Sequence, residues 1–225
     1  NEAGAFSAWL ALATSYSNNN LPMIPFYIFY SMFGFQRIHD LAWAAGDSRA
    51  RGFLLGATSG RTTLNGEGLQ HQDGHSHILA STIPNCRSYD PCYSYELSAI
   101  IQEGINDMYV NGNDRYYYIT LMNENYSHPA KPKKLKNEDI LKGAYKLKEN
   151  KNINLRILAS GVTLNFALEA EKELKDYGIN ADIWSITSFN ELYREGIEIE
   201  RENRLNSTSK KSYVQTCFND EIPTI

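Results

Sequence analysis

The sequence predicts an α/β fold in which a mainly parallel sheet is flanked by helices, followed by a second, incomplete α/β domain. Three observations carry this. Short apolar runs alternate with longer segments of helical periodicity along the chain. A polar, glycine-rich stretch, Gly56 to His77, follows the apolar run Gly52-Phe53-Leu54-Leu55, and open parallel sheets bind ligands at such carboxyl ends of strands. Lysine usage splits the chain, because all twelve lysines fall at or after residue 131, whereas 19 of the 27 aromatic residues precede it.

Taken in order, Ala3 to Tyr16 is rich in Ala, Leu and Trp and reads as a mostly buried helix, ended by Ser17-Asn18-Asn19-Asn20. Pro22 to Tyr27 reads as a short strand that its prolines confine to an edge. Tyr30 to Ala45 is helical, with Phe33, Ile38, Leu41 and Trp43 apolar, and Arg51 to Ala57 is the strand that feeds the glycine loop. Asn85 to Tyr89 is a weak strand. Asp90-Pro91 offers an N-cap and a first-turn proline for a helix to about Tyr109. Tyr116 to Met122 closes the first unit as a strand.

His128-Pro129-Ala130-Lys131-Pro132-Lys133-Lys134 marks the seam, and residues 131–152 read as a linker. Beyond it come a strand at Leu155 to Ala159, a helix from Thr163 to Tyr177 stopped by Gly178, and a strand at Ala181 to Ser185. Ser188-Phe189-Asn190-Glu191 is a capping-box pattern that opens another helix. One strand-helix-strand unit plus a beginning is too little sheet for a finished domain. The chain opens at Asn1-Glu2 without methionine, so the expectation is an internal fragment of something longer.

With 22 basic and 26 acidic side chains the net charge is −4, which argues against a chain-wide nucleic-acid surface. Cys86, Cys92 and Cys217 are odd in number and lack CxxC spacing, which points to a reducing, cytoplasmic setting. No apolar run reaches the length of a membrane span.

The loop supports two chemistries. His71, Asp73, His75 and His77 alternate, and on an extended strand they would share one face, so a metal-dependent hydrolase is one reading. The other begins at Glu2, at the start of an apolar helix, where a carboxylate needs a hydrogen bond or a proton. Tyr30 and Phe33 stand one helical turn apart, so both rings can face one pocket and stack a flat heterocycle, with Glu2 on its ring nitrogen.

At this point the sequence resembles a known family. Gly66-Glu67-Gly68-Leu69-Gln70-His71 followed by Asp73-Gly74-His75-Ser76-His77 is similar to the substrate-side loop of transketolase-like thiamine diphosphate enzymes. Asn18 to Tyr27, Tyr30 to Arg37, Thr58 to Gly68 and Tyr116 to Thr120 resemble the homodimeric bacterial pyruvate dehydrogenases (acetyl-transferring). The likeness is nearly continuous from Asn1 to Pro129 and persists through Ala159-Ser160-Gly161 and Ser185 to Phe189.

The resemblance implies that residues 1–130 form a pyrimidine-binding domain, truncated at its N-terminal side, and that residues 153–225 begin a transketolase-like C-terminal domain. It implies oxidative decarboxylation of pyruvate, with the acetyl group passed to a lipoyl group of a dihydrolipoamide acetyltransferase. Glu2 matches the glutamate that bonds the aminopyrimidine ring and promotes its proton-transferring form. Tyr30 and Phe33 match aromatic positions against the pyrimidine, and His71 an active-site histidine, with Glu67 ordering the same loop. The family's Gly-Asp-Gly…Asn motif for magnesium and diphosphate is not found; Ala45-Gly46-Asp47-Ser48 lacks the second glycine. The magnesium ligands are therefore expected on a preceding domain. Because the family's site is shared between two subunits, this chain alone is expected to be inactive.

Overall fold

The computed structural model describes residues 1–59 and 61–225, and for Arg61, Thr62 and Asn65 the backbone alone. Gly60, within the family-like stretch Thr58 to Gly68, lies outside the described residues. The chain divides into two compact units: Asn1–Asp90 with Leu97–His128, and Pro91–Glu96 with Pro129–Ile225.

The first unit opens with α1 (Glu2–Ala13) and the single turn α2 (Ser15–Asn18). Only Phe6, Trp9 and Ala13 of α1 are buried, at spacings of three and four that put them on one face. Leu12 is 42% exposed, so the helix is half-covered and not mostly buried as its apolar composition suggested. Trp9 donates its indole N–H to the Pro25 carbonyl at 3.2 Å. The first strand, β1, runs Phe26–Tyr30, later than the expected Pro22 to Tyr27. Pro22 and Pro25 bring no backbone N–H to a ladder, so pairing starts beyond the second proline.

α3 (Ser31–Asp47) follows directly and buries Phe35, Ile38, Ala42 and Ala45 on one stripe. At Gly34 a Cβ would sit 1.9 Å from the Phe29 ring, so only glycine lets α3 close onto β1. β2 (Phe53–Ala57) is the apolar strand anticipated before the loop. After the loop come α4 (Ser76–Ser81), β3 (Cys86–Tyr89), α5 (Ser94–Ile105), a π-helical turn at Asn106–Val110, and β4 (Tyr116–Thr120). α5 starts later than Asp90-Pro91 implied. The Asp90 carboxylate instead takes the Thr120 hydroxyl, at 2.5 Å.

The four strands are parallel in the order β1-β2-β4-β3, the sheet the alternation predicted. Their carboxyl ends at Tyr30 and Ala57 lie side by side in register. Phe6, Trp9, Phe35, Ile38, Leu54, Tyr116 and Tyr118 make the core on one face of the sheet.

The second unit contains α6 (Asn137–Leu141), β5 (Tyr145–Lys148), β6 (Leu155–Ala159), α7 (Thr163–Leu174), β7 (Ala181–Ser185), α8 (Phe189–Asn206) and α9 (Tyr213–Cys217). The sheet order is β5-β7-β6, with β6 parallel and β5 antiparallel to β7. Residues 131–152 are not plain linker, since α6 and β5 lie there. The sheet also has a third strand, hidden in the sequence because Lys146 and Lys148 alternate with Tyr145 and Leu147 in a lysine-rich stretch. Lys146 reaches the buried Asp182 carboxylate at 3.0 Å, which is why an edge strand carries it. α8 begins as its capping pattern announced, with the Ser188 hydroxyl accepting from the Glu191 N–H at 3.0 Å. Gly178, at φ +74°, ends the 3₁₀ turn after α7. The three cysteines are free thiols. Among the described residues no helix is long and apolar enough to cross a membrane.

Candidate functional site

Three sequence-chosen side chains meet at the carboxyl ends of β1 and β2. Tyr30 is the last residue of β1 and the N-cap of α3, in extended conformation, so the chain turns sharply there. Phe33 lies in the first turn of α3. Its ring centroid is 5.9 Å from that of Tyr30. His71 ends the 3₁₀ turn Leu69–His71, entered through Gly68 at φ +83°, a conformation that favours glycine. Its imidazole stands edge-on to both rings, 5.9 Å from Tyr30 at 64° and 5.5 Å from Phe33 at 80°. Tyr30 is 43% exposed, so the cluster keeps an open aromatic face.

Glu2 joins through a residue given no role from the sequence. Arg37, one helical turn beyond Phe33, places its guanidinium carbon 4.5 Å from the centre of the Phe33 ring and pairs with the Glu2 carboxylate. The i, i+4 spacing of Phe33 and Arg37 was the signal available for it. The Glu2 carboxyl is held below its ordinary range, first by its own backbone N–H and then by Arg37. Its charge, after burial, helps push the Tyr27 hydroxyl up. Glu2 is thus an ionised, partly exposed, ion-paired group and not a neutral one.

His71 Nδ1 lies 2.9 Å from the Glu67 carbonyl oxygen. A carbonyl only accepts, so Nδ1 carries the proton and Nε2 is left for another partner. Glu67 meets His71 through its backbone carbonyl, and the residue is otherwise exposed.

The other loop groups are engaged elsewhere. Asp73 is buried, and its Oδ1 accepts from the backbone N–H groups of Ser76 at 3.0 Å and His75 at 3.1 Å. Burial pushes its carboxyl up, but the bonds from Ser76 and His75 outweigh this and hold it below its usual value. His75 Nε2 is 3.0 Å from the Gln36 amide nitrogen, and His77 Nε2 is 2.9 Å from the Thr120 hydroxyl. The alternating-strand reading of His71, Asp73, His75 and His77 therefore fails. The chain enters α4 at Ser76, so the side chains diverge instead of sharing a face. Among the described residues no group of three His, Cys, Asp or Glu side chains is placed to hold a metal ion.

Comparison with known proteins bears on this arrangement. Residues 1–129 match the family described as pyruvate dehydrogenase E1 component middle domain, and residues 143–225 that described as transketolase-like TK C-terminal domain. The chain is 61% identical over 224 residues to the pyruvate dehydrogenase E1 component of Pseudomonas aeruginosa, covering 97% of this chain and 25% of that protein. It is 57% identical over 226 residues to that of Escherichia coli K12, covering 98% and 25%. The chain thus spans about a quarter of the length of these curated relatives. Among solved structures, transketolase from Campylobacter jejuni shares the fold at TM-score 0.67 and 20% identity, over 82% of this chain and 27% of that one. A split-gene transketolase tetramer matches at TM-score 0.64 and 19% identity, over 100% of this chain and 71% of that one. With the middle-domain match extending over more than half of its residues, the chain belongs to the pyruvate dehydrogenase E1 component family.

Proposed function

We propose that this chain supplies the pyrimidine-side half of a thiamine diphosphate site for oxidative decarboxylation of pyruvate, in a cytoplasmic homodimeric E1 component. The reading rests above all on the juxtaposition of Glu2, Arg37, Phe33, Tyr30 and His71 at the carboxyl ends of β1 and β2. The donor set fits an aminopyrimidine: an open aromatic face for a flat ring, a carboxylate for its ring nitrogen, and an imidazole at the edge.

Thiamine diphosphate, when bound, supplies the electron sink that lets carbon dioxide leave from pyruvate. The chain's own residues bind and orient. Tyr30 and Phe33 would pack against the pyrimidine. Glu2 would face its ring nitrogen, its carboxylate accepting a hydrogen bond when that nitrogen carries a proton. His71, with Nδ1–H fixed on the Glu67 carbonyl, would present Nε2 to pyruvate. Residues 1–130 act as the pyrimidine-binding domain, and the C-terminal part as the start of a transketolase-like domain that takes in β5. Magnesium and the diphosphate are held by residues of another domain, and the acetyl group passes to the lipoyl group of the acetyltransferase partner.

The test uses a full-length E1 component carrying these residues, assayed with pyruvate, magnesium and thiamine diphosphate. Glu2→Gln is expected to lower decarboxylation by roughly 100-fold or more. Undiminished decarboxylation in that variant would remove the role given to Glu2. Cofactor affinity measured by fluorescence quenching supplies a second readout, expected to weaken in Tyr30→Ala.

A further inference from the structure

Beneath the aromatic cluster a second, wholly buried set of polar groups ties its two walls together. One wall is the loop that carries His71; the other is formed by β1 and α3, which carry Tyr30 and Phe33. Between Leu64, which is 2% exposed, and Asp73, which is 3% exposed, no loop residue is fully buried among those with described side chains. His71 therefore depends for its place on its own short turn and on the anchor two residues on.

That anchor is the Asp73 carboxylate. Its two oxygens accept from the His75 N–H, the Ser76 N–H and the Ser76 hydroxyl. Ser76 Oγ in turn accepts from the Tyr118 hydroxyl at 2.8 Å. Tyr118 stands on β4, fully buried, and reaches the other wall. Its ring is stacked with Phe29 of β1 at 6.0 Å and meets Phe35 of α3 edge-on at 4.8 Å. Gly56 shows how closely the parts converge: a Cβ there would fall 2.4 Å from the Tyr118 hydroxyl and 2.9 Å from Cβ of Ser31, the residue after Tyr30. The glycine of β2 is what leaves the Tyr118 hydroxyl its path to Ser76.

We infer that Asp73 is a positioning residue, which through Ser76 and Tyr118 fixes the His71 wall at its working distance from Tyr30 and Phe33. Asp73 does not face the open aromatic surface, and its oxygens are occupied, so it acts through His71 and not on substrate. Burying a carboxylate carries a large desolvation penalty, here offset by donors that include the Ser76 and His75 groups, and a neutral loop anchor would hold less firmly. The role rests on the functional reading of His71 given above.

A double-mutant cycle in a full-length E1 component tests it. His71→Ala, Asp73→Asn and the pair are compared for kcat, KM for pyruvate, thiamine diphosphate affinity and thermal midpoint. Asp73→Asn keeps the volume but faces an NH2 group toward the donors. It is expected to lower kcat by about 10-fold or more with little change in KM, because small misplacements of a positioned group act on the chemical step. The pair is expected to be no worse than His71→Ala alone, since Asp73 acts through that imidazole. Tyr118→Phe, which keeps both ring contacts, is expected to give the same pattern more weakly, and it carries the test if Asp73→Asn does not fold. Losses that multiply in the double variant, or kcat within about 2-fold of the parent in both Asp73→Asn and Tyr118→Phe, would overturn the positioning role. Unchanged kcat in His71→Ala would instead overturn the functional reading on which it rests.

Discussion

The His71 imidazole stands edge-on to the Phe33 ring, centroids 5.5 Å apart at 80°. Edge-to-face contact puts the positive rim of one ring on the negative face of the other, a contribution of about 0.5–1.5 kcal/mol beyond the area covered. Phe33→Leu keeps an apolar side chain on α3 but removes that face. It is expected to weaken thiamine diphosphate binding to a full-length E1 component by roughly 3- to 10-fold, the equivalent of one such contact. Titration of cofactor against intrinsic fluorescence measures it; affinity equal to the parent would show that Phe33 does not touch the cofactor.

Arg37 reaches the same ring, its guanidinium carbon 4.5 Å from the ring centre, while pairing with Glu2. The Glu2 carboxyl is held below its ordinary value by its own backbone N–H and then by this guanidinium. A depressed carboxylate is ionised above its pKa and loses its charge only as pH falls through it, so removing the cation moves that point upward. Arg37→Met keeps a flexible stem on Phe33 without the charge. The acid limb of the kcat/KM profile is expected to move to higher pH in this variant. A limb that stayed in place would exclude Glu2 as the group that sets it.

Much of this was legible in the sequence, and what was not has definite causes. The parallel sheet could be read because β2 and β4 are short apolar or aromatic runs and segments of helical periodicity recur between the strands. Tyr30 and Phe33 could be chosen because they stand one helical turn apart, and His71 because its loop resembles that of the family. The Arg37 pairing was hidden, since an arginine on a helix surface looks like a solvated charge until the start of α1 brings Glu2 to it. β5 was hidden for a similar reason. Lys146 and Lys148 read as linker charge, and only their buried partners, Asp182 and Glu171, explain them as strand residues. The alternation of His71, Asp73, His75 and His77 misled in the opposite direction, because periodicity of two implies a shared face only where the backbone stays extended.

Glu171 on α7 is fully buried and is met by Lys148 at 2.6 Å, Lys175 at 2.8 Å and the Asn150 amide at 2.8 Å. Burial pushes its carboxyl up, yet these donors prevail and bring it down to about 2. The stability it contributes is therefore complete above its ordinary value of 4.5 and is lost as pH falls from there toward about 2. Lys175→Met is expected to raise the Glu171 pKa and to shift acid unfolding of the chain to higher pH. Carbon-13 titration of the Glu171 carboxyl, with far-UV circular dichroism over the same range, checks both. A titration unchanged by the substitution would show that Lys148 and Asn150 alone hold the charge.

Glu96, in the first turn of α5, has no exposed surface and receives four donors. The backbone N–H groups of Cys92 and Tyr93 bind one oxygen at 2.6 and 2.8 Å, and the Tyr145 and Ser185 hydroxyls bind the other at 2.7 and 2.6 Å. The carboxylate thus caps the chain before the helix and links it to β5 and β7 of the same unit. Tyr145 has a second hydroxyl partner in Tyr95, at 2.6 Å, so losing Glu96 leaves it partly satisfied. Glu96→Ala removes the shared acceptor of all four bonds and opens a cavity, and is expected to lower the stability of the chain by roughly 3 kcal/mol or more. Tyr145→Phe removes one bond and leaves the cap intact, for a loss of about 1 kcal/mol. Urea unfolding separates the two: both variants should lower the midpoint at unchanged slope, Glu96→Ala by far the more. Equal midpoints would place the weight of the network on the tyrosine pair and take it off the carboxylate.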